Sequence, residues 1–463
     1  MNAVNTIIEE YRARTPESER LYREWARWLP GGDTRTSSYY TPYPVVMAGG
    51  SGCQLVDVDD NRYLDFFNNS LSLIHGHAHP AIVAALAEQA SRGTALGAPS
   101  PIQAEHAEII CRRVPSIEKI RYCNSGTEAT LFAIRAARAF TGKEVIVKID
   151  GGYHGTHDLA EINMFPGSDG RPADRLPIGY PRLRVPPGVP AGTLDSVIVV
   201  PFNDTESMAY VLERFHGDIA AVLMEPALYS GGAIAPLRDY LHEVRQLCTR
   251  RGVLLIFDEV ATFRLGPMQV ATGIEPDLTA LGKIIGGGLP IGAFGGRDEI
   301  MMQFDPAGAR PLFHAGTFAA NEATMAAGVA ALNHFGPKEV TRLNSLGESL
   351  LAGLQEAANR AAVKMTVSGL GSFGTIHWGD GPLNTAEDSH RHAQGVGDLP
   401  TLLHLELLNR GIYLSRRGTF CLSTPMTEEH VTQFLNEFSA TLEKLSTYVS
   451  RNMPELWRDE ALV

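Results

Sequence analysis

From about residue 76 to residue 325, the sequence alternates short apolar patterns with patterns of helical spacing. This alternation is typical of a parallel sheet whose strands are joined by crossover helices. Residues 253–257 are apolar without interruption, as expected of a strand that is buried on both faces. The sequence therefore predicts an α/β protein with a mostly parallel central sheet.

Proline and glycine punctuation divides the chain into three predicted segments. Residues 1–75 are predicted to form helices and a strand hairpin that belong to a small domain, residues 76–325 a large domain, and residues 326–463 a smaller α+β domain. Residues 165–195 are rich in proline and glycine and predict an irregular excursion. A loop of this length is usually functional, so we expect it either to cover the mouth of a site or to decorate the surface.

The composition excludes several classes of partner. The 463 residues carry a net charge of −12, from 40 basic and 52 acidic side chains, which argues against nucleic acid or an anionic membrane as partner. No stretch of about 20 apolar residues is present, so no membrane span is predicted. Early charges in residues 7–12 argue against a signal peptide. The five cysteines are scattered and favour a reducing compartment, and we expect a cytoplasmic location.

Two ionisable residues stand where a ligand is expected. Lys283 lies among apolar residues and glycines, and Asp258 ends the apolar run at 253–257. Burial lowers the pKa of a lysine and makes its amine a nucleophile for a carbonyl carbon, as a Schiff base requires. An acid at the carboxyl end of a parallel strand faces the ligand crevice. Pyridoxal phosphate needs both groups, although each alone also fits a loop lysine or a helix cap.

Two further motifs fit the same cofactor. Ser125, Gly126 and Thr127 open a predicted helix, where hydroxyl and backbone N–H groups bind phosphate. A plain helix cap is the alternative for this motif. Tyr153 and His154 lie in a turn flanked by glycines, where the tyrosine ring is placed to stack on an aromatic ligand or simply to occupy a turn.

Together and in this order, these elements resemble the class III aminotransferases, which are pyridoxal phosphate enzymes of fold type I. The resemblance covers nearly the whole chain. It implies a large cofactor-binding domain, a small C-terminal domain and a homodimer with shared active sites. The matching motifs are residues 124–129, 153–155, 258–260, 283–288 and 316–318.

The resemblance also implies a role for each residue. Lys283 would form the internal aldimine and carry the proton between the substrate Cα and the cofactor C4′, with Asp258 paired to the pyridine nitrogen. Tyr153 would act beside them, against one face of the ring. The other implied cofactor residues are Ser125, Gly126 and Thr127 at the phosphate, Val260 on the second face of the ring, His154 and Glu225 near the cofactor, and Thr317, which would reach the phosphate of the neighbouring subunit.

The reaction depends on how the substrate carboxylates are held. The β-amino acid (β-phenylalanine type) aminotransferases resemble this chain at Arg35, at the aromatic and proline stretch with Tyr40, and at Arg417. A guanidinium grips a carboxylate through two hydrogen bonds, so two arginines would serve a β-amino acid donor and an α-keto acid acceptor. The alternatives are surface arginines and a tyrosine that packs under the N-terminal segment.

A second related group, the glutamate-1-semialdehyde 2,1-aminomutases, shares the motif around Lys283 and gives the alternative reaction. The chain departs from this group in the N-terminal segment, and residues 414–418 lack its gate-loop pattern. A protein that acts by binding alone is the third possibility. The joint presence of Lys283, Asp258 and Tyr153 argues against it.

Two other patterns predict no site. Residues 369–374 fit G-x-G-x-x-G but precede a strand pattern, whereas a dinucleotide site needs a helix there. His75, His77 and His79 could be taken for metal ligands of a hydrolase. The proline that follows indicates a turn into a helix instead, and we predict no metal site.

Overall fold

The computed structural model describes residues 3–165 and 183–458. Most of the predicted excursion at 165–195 therefore lies outside the described residues, and its role stays a prediction. The strands are β1 (Met47–Ser51), β2 (Gln54–Asp57), β3 (Arg62–Asp65), β4 (Lys119–Cys123), β5 (Val145–Ile149), β6 (Val197–Val200), β7 (Ile219–Met224), β8 (Leu254–Asp258), β9 (Leu278–Gly282), β10 (Gly292–Gly296), β11 (Met365–Leu370), β12 (Phe373–Trp378), β13 (Ile412–Tyr413) and β14 (Thr419–Cys421).

The helices are distributed along the whole of the described chain. They are α1 (Ala3–Arg14), α2 (Pro16–Trp25), α3 (Asn68–Leu71), α4 (Pro80–Ala90), α5 (Pro101–Arg113), α6 (Gly126–Thr141), α7 (Asp158–Glu161), α8 (Thr205–Phe215), α9 (Tyr240–Arg251), α10 (Met268–Thr272), α11 (Asp298–Met301), α12 (Glu322–Asn333), α13 (Pro337–Arg360), α14 (Ala386–His392), α15 (Leu399–Asn409) and α16 (Glu428–Asn452). Within the described ranges, no helix is long and apolar enough to cross a membrane.

The chain divides into two compact units. The small unit combines Met1–His79, Arg342–Gly381 and His392–Val463, and the large unit combines Pro80–Thr341 with Pro382–Arg391. Each unit is thus built from separate stretches of sequence. The predicted domain bounds of 1–75, 76–325 and 326–463 stay a prediction.

The large unit contains a seven-stranded sheet in the order β4-β10-β9-β8-β7-β5-β6. The strands of this sheet run parallel, except that β10 is antiparallel to both of its neighbours. The α/β prediction with a mostly parallel central sheet is confirmed.

Helices cover both faces of this sheet. Along β5, Val147 and Ile149 pack into the cluster that includes α8 and α9, whereas Ile146 packs into the cluster that includes α6. Side chains of a strand alternate between faces, so a strand that lies between two helical layers is apolar on both faces, and in β5 the one exception is Lys148. Burial of each such valine or isoleucine stabilises the fold by about 1.5–3 kcal/mol.

The small unit contains two sheets, with strand orders β1-β2-β3-β13 and β11-β12-β14. Strand β13 runs parallel to β3, with Ile412 opposite Leu64. The G-x-G-x-x-G pattern forms the antiparallel hairpin of β11 and β12, in which Leu370 lies opposite Phe373. The predicted strand after these glycines is confirmed.

His75 and His77, from the cluster of histidines, each have a side-chain partner within the small unit. His77 Nε2 lies 2.7 Å from Asp65 Oδ2, and His75 Nδ1 lies 3.0 Å from Thr424 Oγ1. These contacts tie the chain after β3 to neighbouring segments. In the part of the chain that the structure describes, no group of three or more histidine, cysteine or acidic side chains is arranged to hold a metal ion.

Candidate active site

The predicted cofactor residues of the large unit, other than Thr317, lie at one edge of its sheet. Because β4, β5, β7, β8 and β9 are parallel, their carboxyl ends all lie at this edge, where open α/β sheets bind ligands. The structure therefore brings together residues from five separate parts of the sequence. In the order β4, β5, β7, β8 and β9, the residues at the strand ends are Ser125 to Thr127, Tyr153 and His154, Glu225, Asp258 with Val260, and Lys283.

The first turn of α6 is a candidate anion site. Ser125 caps this helix, and its side chain accepts a hydrogen bond of 3.2 Å from the Glu128 N–H. The N–H groups of Gly126 and Thr127 belong to the first turn, which has no acceptors within the helix. Such N–H groups and the helix dipole favour a bound phosphate. Here the serine hydroxyl organises the turn, while the backbone supplies donors.

The Tyr153 turn packs directly on this helix start. At Gly155, φ is +96°, and a Cβ built there would lie 2.5 Å from the Cα of Thr127. The Thr127 hydroxyl also accepts a 3.3 Å hydrogen bond from the Thr156 N–H. Only glycine permits this approach, so the glycine after His154 sets the spacing between the aromatic turn and the anion site.

Asp258 and His154 form a buried pair, with 2.8 Å between Asp258 Oδ2 and His154 Nδ1. Burial lowers the pKa of His154, while Asp258 opposes that shift. His154 is therefore neutral, and we assign its proton to Nδ1, which donates to the carboxylate. The other oxygen of Asp258 accepts a 3.0 Å hydrogen bond from the Val260 N–H. Both contacts orient the carboxylate.

Glu225 is a second buried acid at this edge. Its Oε1 accepts a 3.3 Å hydrogen bond from the Tyr153 N–H. Burial raises the pKa of Glu225, the charge of Asp258 raises it further, and Lys283 opposes both effects. Glu225 therefore takes up a proton more readily than an exposed glutamate does.

Lys283 follows β9 directly and has a φ of +50°, which is unusual for a residue other than glycine. Such a conformation costs on the order of 1–3 kcal/mol and persists only where the surroundings enforce it. Buried His106 supplies part of that support, because its Nε2 lies 2.8 Å from the Ile285 carbonyl oxygen and its Nδ1 lies 2.8 Å from the Tyr122 hydroxyl. His106 was not predicted, because no local sequence pattern connects it to Lys283.

Tyr153 and Val260 occupy positions suited to the two faces of a ring. The Tyr153 side chain is 41% exposed, so its ring is open for stacking. Val260 lies between two glycines, with its methyl carbons 3.1 Å and 3.4 Å from Cβ positions built on Gly126 and Gly282. A candidate anion site, a buried carboxylate, an open aromatic ring and an amine therefore meet at one edge. These groups fit the phosphate, pyridine nitrogen, ring and aldehyde of pyridoxal phosphate.

Thr317 lies on an exposed segment of the large unit. A Cβ built on Gly316 would lie 3.4 Å from Asn124 Nδ2, next to the anion site of the same chain. Phe313 and Phe318 are 83% and 62% exposed. The predicted contact of Thr317 with a neighbouring subunit stays a prediction.

Tyr40 is buried in the small unit. Its hydroxyl oxygen accepts a 2.8 Å hydrogen bond from the Val45 N–H and lies 3.4 Å from the Tyr11 hydroxyl. Its ring packs edge-on against His404, with 4.4 Å between the ring centroids. This is the packed position that the sequence analysis named as the alternative, and a contact of Tyr40 with substrate stays a prediction.

Both predicted substrate arginines are exposed and also belong to the small unit. Arg35 Nη1 donates to Asn69 Oδ1 at 3.0 Å, and the Arg417 N–H donates to Ser415 Oγ at 3.2 Å. Burial and the neighbouring charge of Arg416 lower the pKa of His404 to about 3. The arginine pair 416–417 therefore lies near the histidine on which Tyr40 packs. The binding roles of Arg35 and Arg417 stay predictions.

Comparison with known proteins agrees with this geometry. The profile of the family "Aminotransferase class-III" matches residues 36–442. The chain is 37% identical over 432 residues to a glutamate-1-semialdehyde 2,1-aminomutase of Archaeoglobus fulgidus, with 92% of this chain and 99% of the relative covered. It is 38% identical over 435 residues to a β-phenylalanine transaminase of Variovorax paradoxus, with 93% and 94% covered. A solved ω-transaminase from Sphaerobacter thermophilus superposes with a TM-score of 0.86 at 41% identity, with 92% and 97% covered.

Asp258→Asn tests the charge at the centre of the site. The amide keeps an acceptor for His154 but removes the negative charge, so we expect turnover to fall by about 10²-fold or more, as for other lost electrostatic contacts. Some cofactor should remain bound. Single-turnover rates and cofactor titration measure the two effects. The matched control is Asp277→Asn, a buried carboxylate paired with Arg245 and Arg297, which should change stability more than rate. An unchanged rate in Asp258→Asn would remove this residue from the mechanism.

Proposed function

The chain belongs to the class III aminotransferases, which use pyridoxal 5′-phosphate, and we propose that it moves an amino group from a β-amino acid or a related amine to an α-keto acid. The observation that carries the proposal is the shared strand edge, where Lys283 meets the His154–Asp258 pair and the anion site of α6. The arginines of the small unit support the choice of substrates.

Bound pyridoxal phosphate supplies an aldehyde that reacts with amines and a ring that accepts electrons from the neighbouring carbon. The first turn of α6 would hold its phosphate through the N–H groups of Gly126 and Thr127. Tyr153 and Val260 would confine the ring. Asp258, oriented by its hydrogen bonds with His154 and the Val260 N–H, would pair with the ring nitrogen and hold a proton there.

Lys283 has two chemical roles in the proposed reaction, attachment of the cofactor and proton transfer. Its amine would hold the cofactor through the aldehyde carbon. Once the substrate amine has replaced it there, the freed amine would move the proton at the carbon that bears the substrate's amino group. The positive φ of Lys283 and the turn at Ile285, whose carbonyl contacts His106, fix the backbone position from which the side-chain amine extends. A base held in place in this way loses less entropy in each proton transfer.

The two carboxylates of the reaction require cationic partners. Arg35 would hold the carboxylate of the β-amino acid, and Arg417 would hold the far carboxylate of a dicarboxylic keto acid such as 2-oxoglutarate. A bidentate guanidinium contact gives each substrate one orientation. Both side chains are exposed, which leaves them able to move as donor and acceptor alternate.

The glutamate-1-semialdehyde aminomutase reaction is the second candidate, because relatives with that name reach 37% identity over nearly their whole length. An aminomutase needs no separate acceptor, since the amino group returns to the same molecule. A keto acid requirement therefore separates the two reactions. The early position of Arg35 and the absence of the gate-loop pattern favour transamination.

We further propose a cytoplasmic homodimer in which Thr317 of one subunit reaches the phosphate of the other. Exposed Phe313 and Phe318 beside Thr317 support a protein interface there. All five cysteines are free thiols, which supports a reducing compartment.

The donor class is tested by the half-reaction. With the cofactor loaded and no keto acid present, a β-amino acid should abolish the visible absorption band of the parent enzyme within one turnover. Lys283→Ala should lose turnover by about 10³-fold or more, because nucleophile and proton carrier are lost together. Exposed Lys338→Ala is the matched control and should behave like the parent. A parent that responds only to aminolevulinate-type donors would favour the aminomutase, and near-normal turnover in Lys283→Ala would refute the assignment.

Arg417→Ala tests the acceptor site. We expect the variant to slow the half-reaction with 2-oxoglutarate by about tenfold or more, and the half-reaction with pyruvate much less, because only 2-oxoglutarate has a second carboxylate to lose its charged contact. Stopped-flow rates with each acceptor measure the difference. Arg416→Ala is the neighbouring control. Equal effects on the two acceptors would remove Arg417 from the acceptor site.

Phe318→Asp tests the dimer. A carboxylate at the centre of a large apolar interface is buried without a partner, so we expect the variant to dissociate into monomers and to release cofactor. Analytical ultracentrifugation measures the mass directly. Leu237→Asp, at another exposed apolar side chain of the large unit, should keep the mass of the parent. A monomeric parent, or a Phe318→Asp dimer with normal cofactor affinity, would overturn the proposed interface.

A further inference from the structure

Lys148 is a buried cation that the proposed mechanism does not use. It is the fourth residue of β5, and its side chain is fully buried in the large unit. Strand β5 lies between β6 and β7, with Lys148 opposite Val199 on one side and Leu223 on the other. Lysines are almost never fully buried unless they are paired. A lysine at this position therefore needs a strong local reason.

Three backbone carbonyl groups surround its amine. Lys148 Nζ lies 3.1 Å from the oxygen of Gly152, 2.8 Å from that of Ala160 and 2.5 Å from that of Ile162. An ammonium group has three N–H donors, and each of them meets one acceptor here. A neutral amine has only two N–H groups and would leave one carbonyl without a donor. The contacts thus match the charged form.

The three acceptors belong to the segment that carries the aromatic turn. Gly152 directly precedes Tyr153, and Ala160 and Ile162 lie in and just after α7. Lys148 therefore connects the two ends of residues 152–162. A 2.9 Å hydrogen bond from the Gly151 N–H to the Asn163 carbonyl closes the same loop.

We propose that Lys148 is a positioning residue, whose three hydrogen bonds hold residues 152–162 in the conformation that aims Tyr153 and His154 at the cofactor ring. The proposal rests on the proposed function, because it takes pyridoxal phosphate as the ligand of this edge. It explains why a charged donor stands in an otherwise apolar strand: no neutral aliphatic side chain can join three carbonyl groups at once.

The charged and titratable groups around Lys148 are consistent with this role. Burial lowers its pKa to about 7, and the carboxylates of Asp150 and Glu225 oppose that shift. The charge of Lys148 in turn lowers the pKa of both His154 and His157. Lys148 therefore also helps to keep His154 neutral, in the form that donates to Asp258.

The test uses a cofactor analogue that cannot bond to Lys283. Deoxypyridoxine 5′-phosphate has the ring and the phosphate but no aldehyde, so its affinity depends on the ring contacts and the anion site alone. In Lys148→Met we expect its dissociation constant to rise about tenfold or more, because the Tyr153 turn loses all three anchors. The affinity for inorganic phosphate, measured by its competition with the analogue, should equal that of the parent, because phosphate needs only the first turn of α6.

Two further variants keep the outcome decisive. Lys143→Met is the matched control, since Lys143 Nζ donates to the His216 carbonyl at 2.8 Å near the opposite end of β5, and its analogue affinity should equal that of the parent. Lys148→Gln retains two N–H donors and should give an intermediate affinity. It carries the test if Lys148→Met does not fold.

Three results would overturn the proposal. Analogue affinity equal to that of the parent in the folded Lys148 variant would show that the turn needs no such anchor. An equal loss of phosphate affinity would show a general structural role. A parent that binds neither the analogue nor pyridoxal phosphate would overturn the proposed function as well, and this result is distinguishable because it appears without any substitution.

Discussion

The common direction of the strands in the large unit is the constraint on which the site depends. Parallel strands bring all their carboxyl ends to one edge, so residues that are far apart in sequence become neighbours without any irregular path through the core. Strand β10 is antiparallel to its neighbours, yet this leaves the edge intact, because the loops that follow β4 and β9 still open on the same side. The chemistry of the site is thus a product of sheet topology, and each loop contributes one part of it.

The second constraint is electrostatic. Asp258, Glu225 and His154 are buried at this edge of the sheet, and an isolated buried charge is costly. Asp258 and Glu225 meet that cost in different ways. The carboxylate of Asp258 accepts hydrogen bonds from His154 and from a backbone N–H, whereas burial raises the pKa of Glu225 and favours its neutral form.

The sequence indicates the residues of the candidate site more directly than the contacts that support them. Asp258 ends an apolar run and Lys283 lies among apolar residues and glycines, and the structure brings both to the same edge of the sheet. His106 could not be found, because it lies 2.8 Å from the carbonyl of Ile285 only after α5 and β9 have packed. The direction of β10 could not be predicted either, since an apolar pattern is the same in both directions. Contacts between distant segments depend on tertiary packing, which local periodicity does not encode.

The small unit closes on itself through the pairing of β3 with β13, in which Ile412 lies opposite Leu64. On the ribosome, β3 leaves the exit tunnel well over three hundred residues before its partner exists. The strands of the large unit all lie between β3 and β13 in the sequence, so the large unit is able to fold first. During that time the edge of β3 that later pairs with β13 is still unpaired. The order of synthesis therefore makes the small unit the last part to assemble, and its early strands are the part of the nascent chain that most needs protection from aggregation.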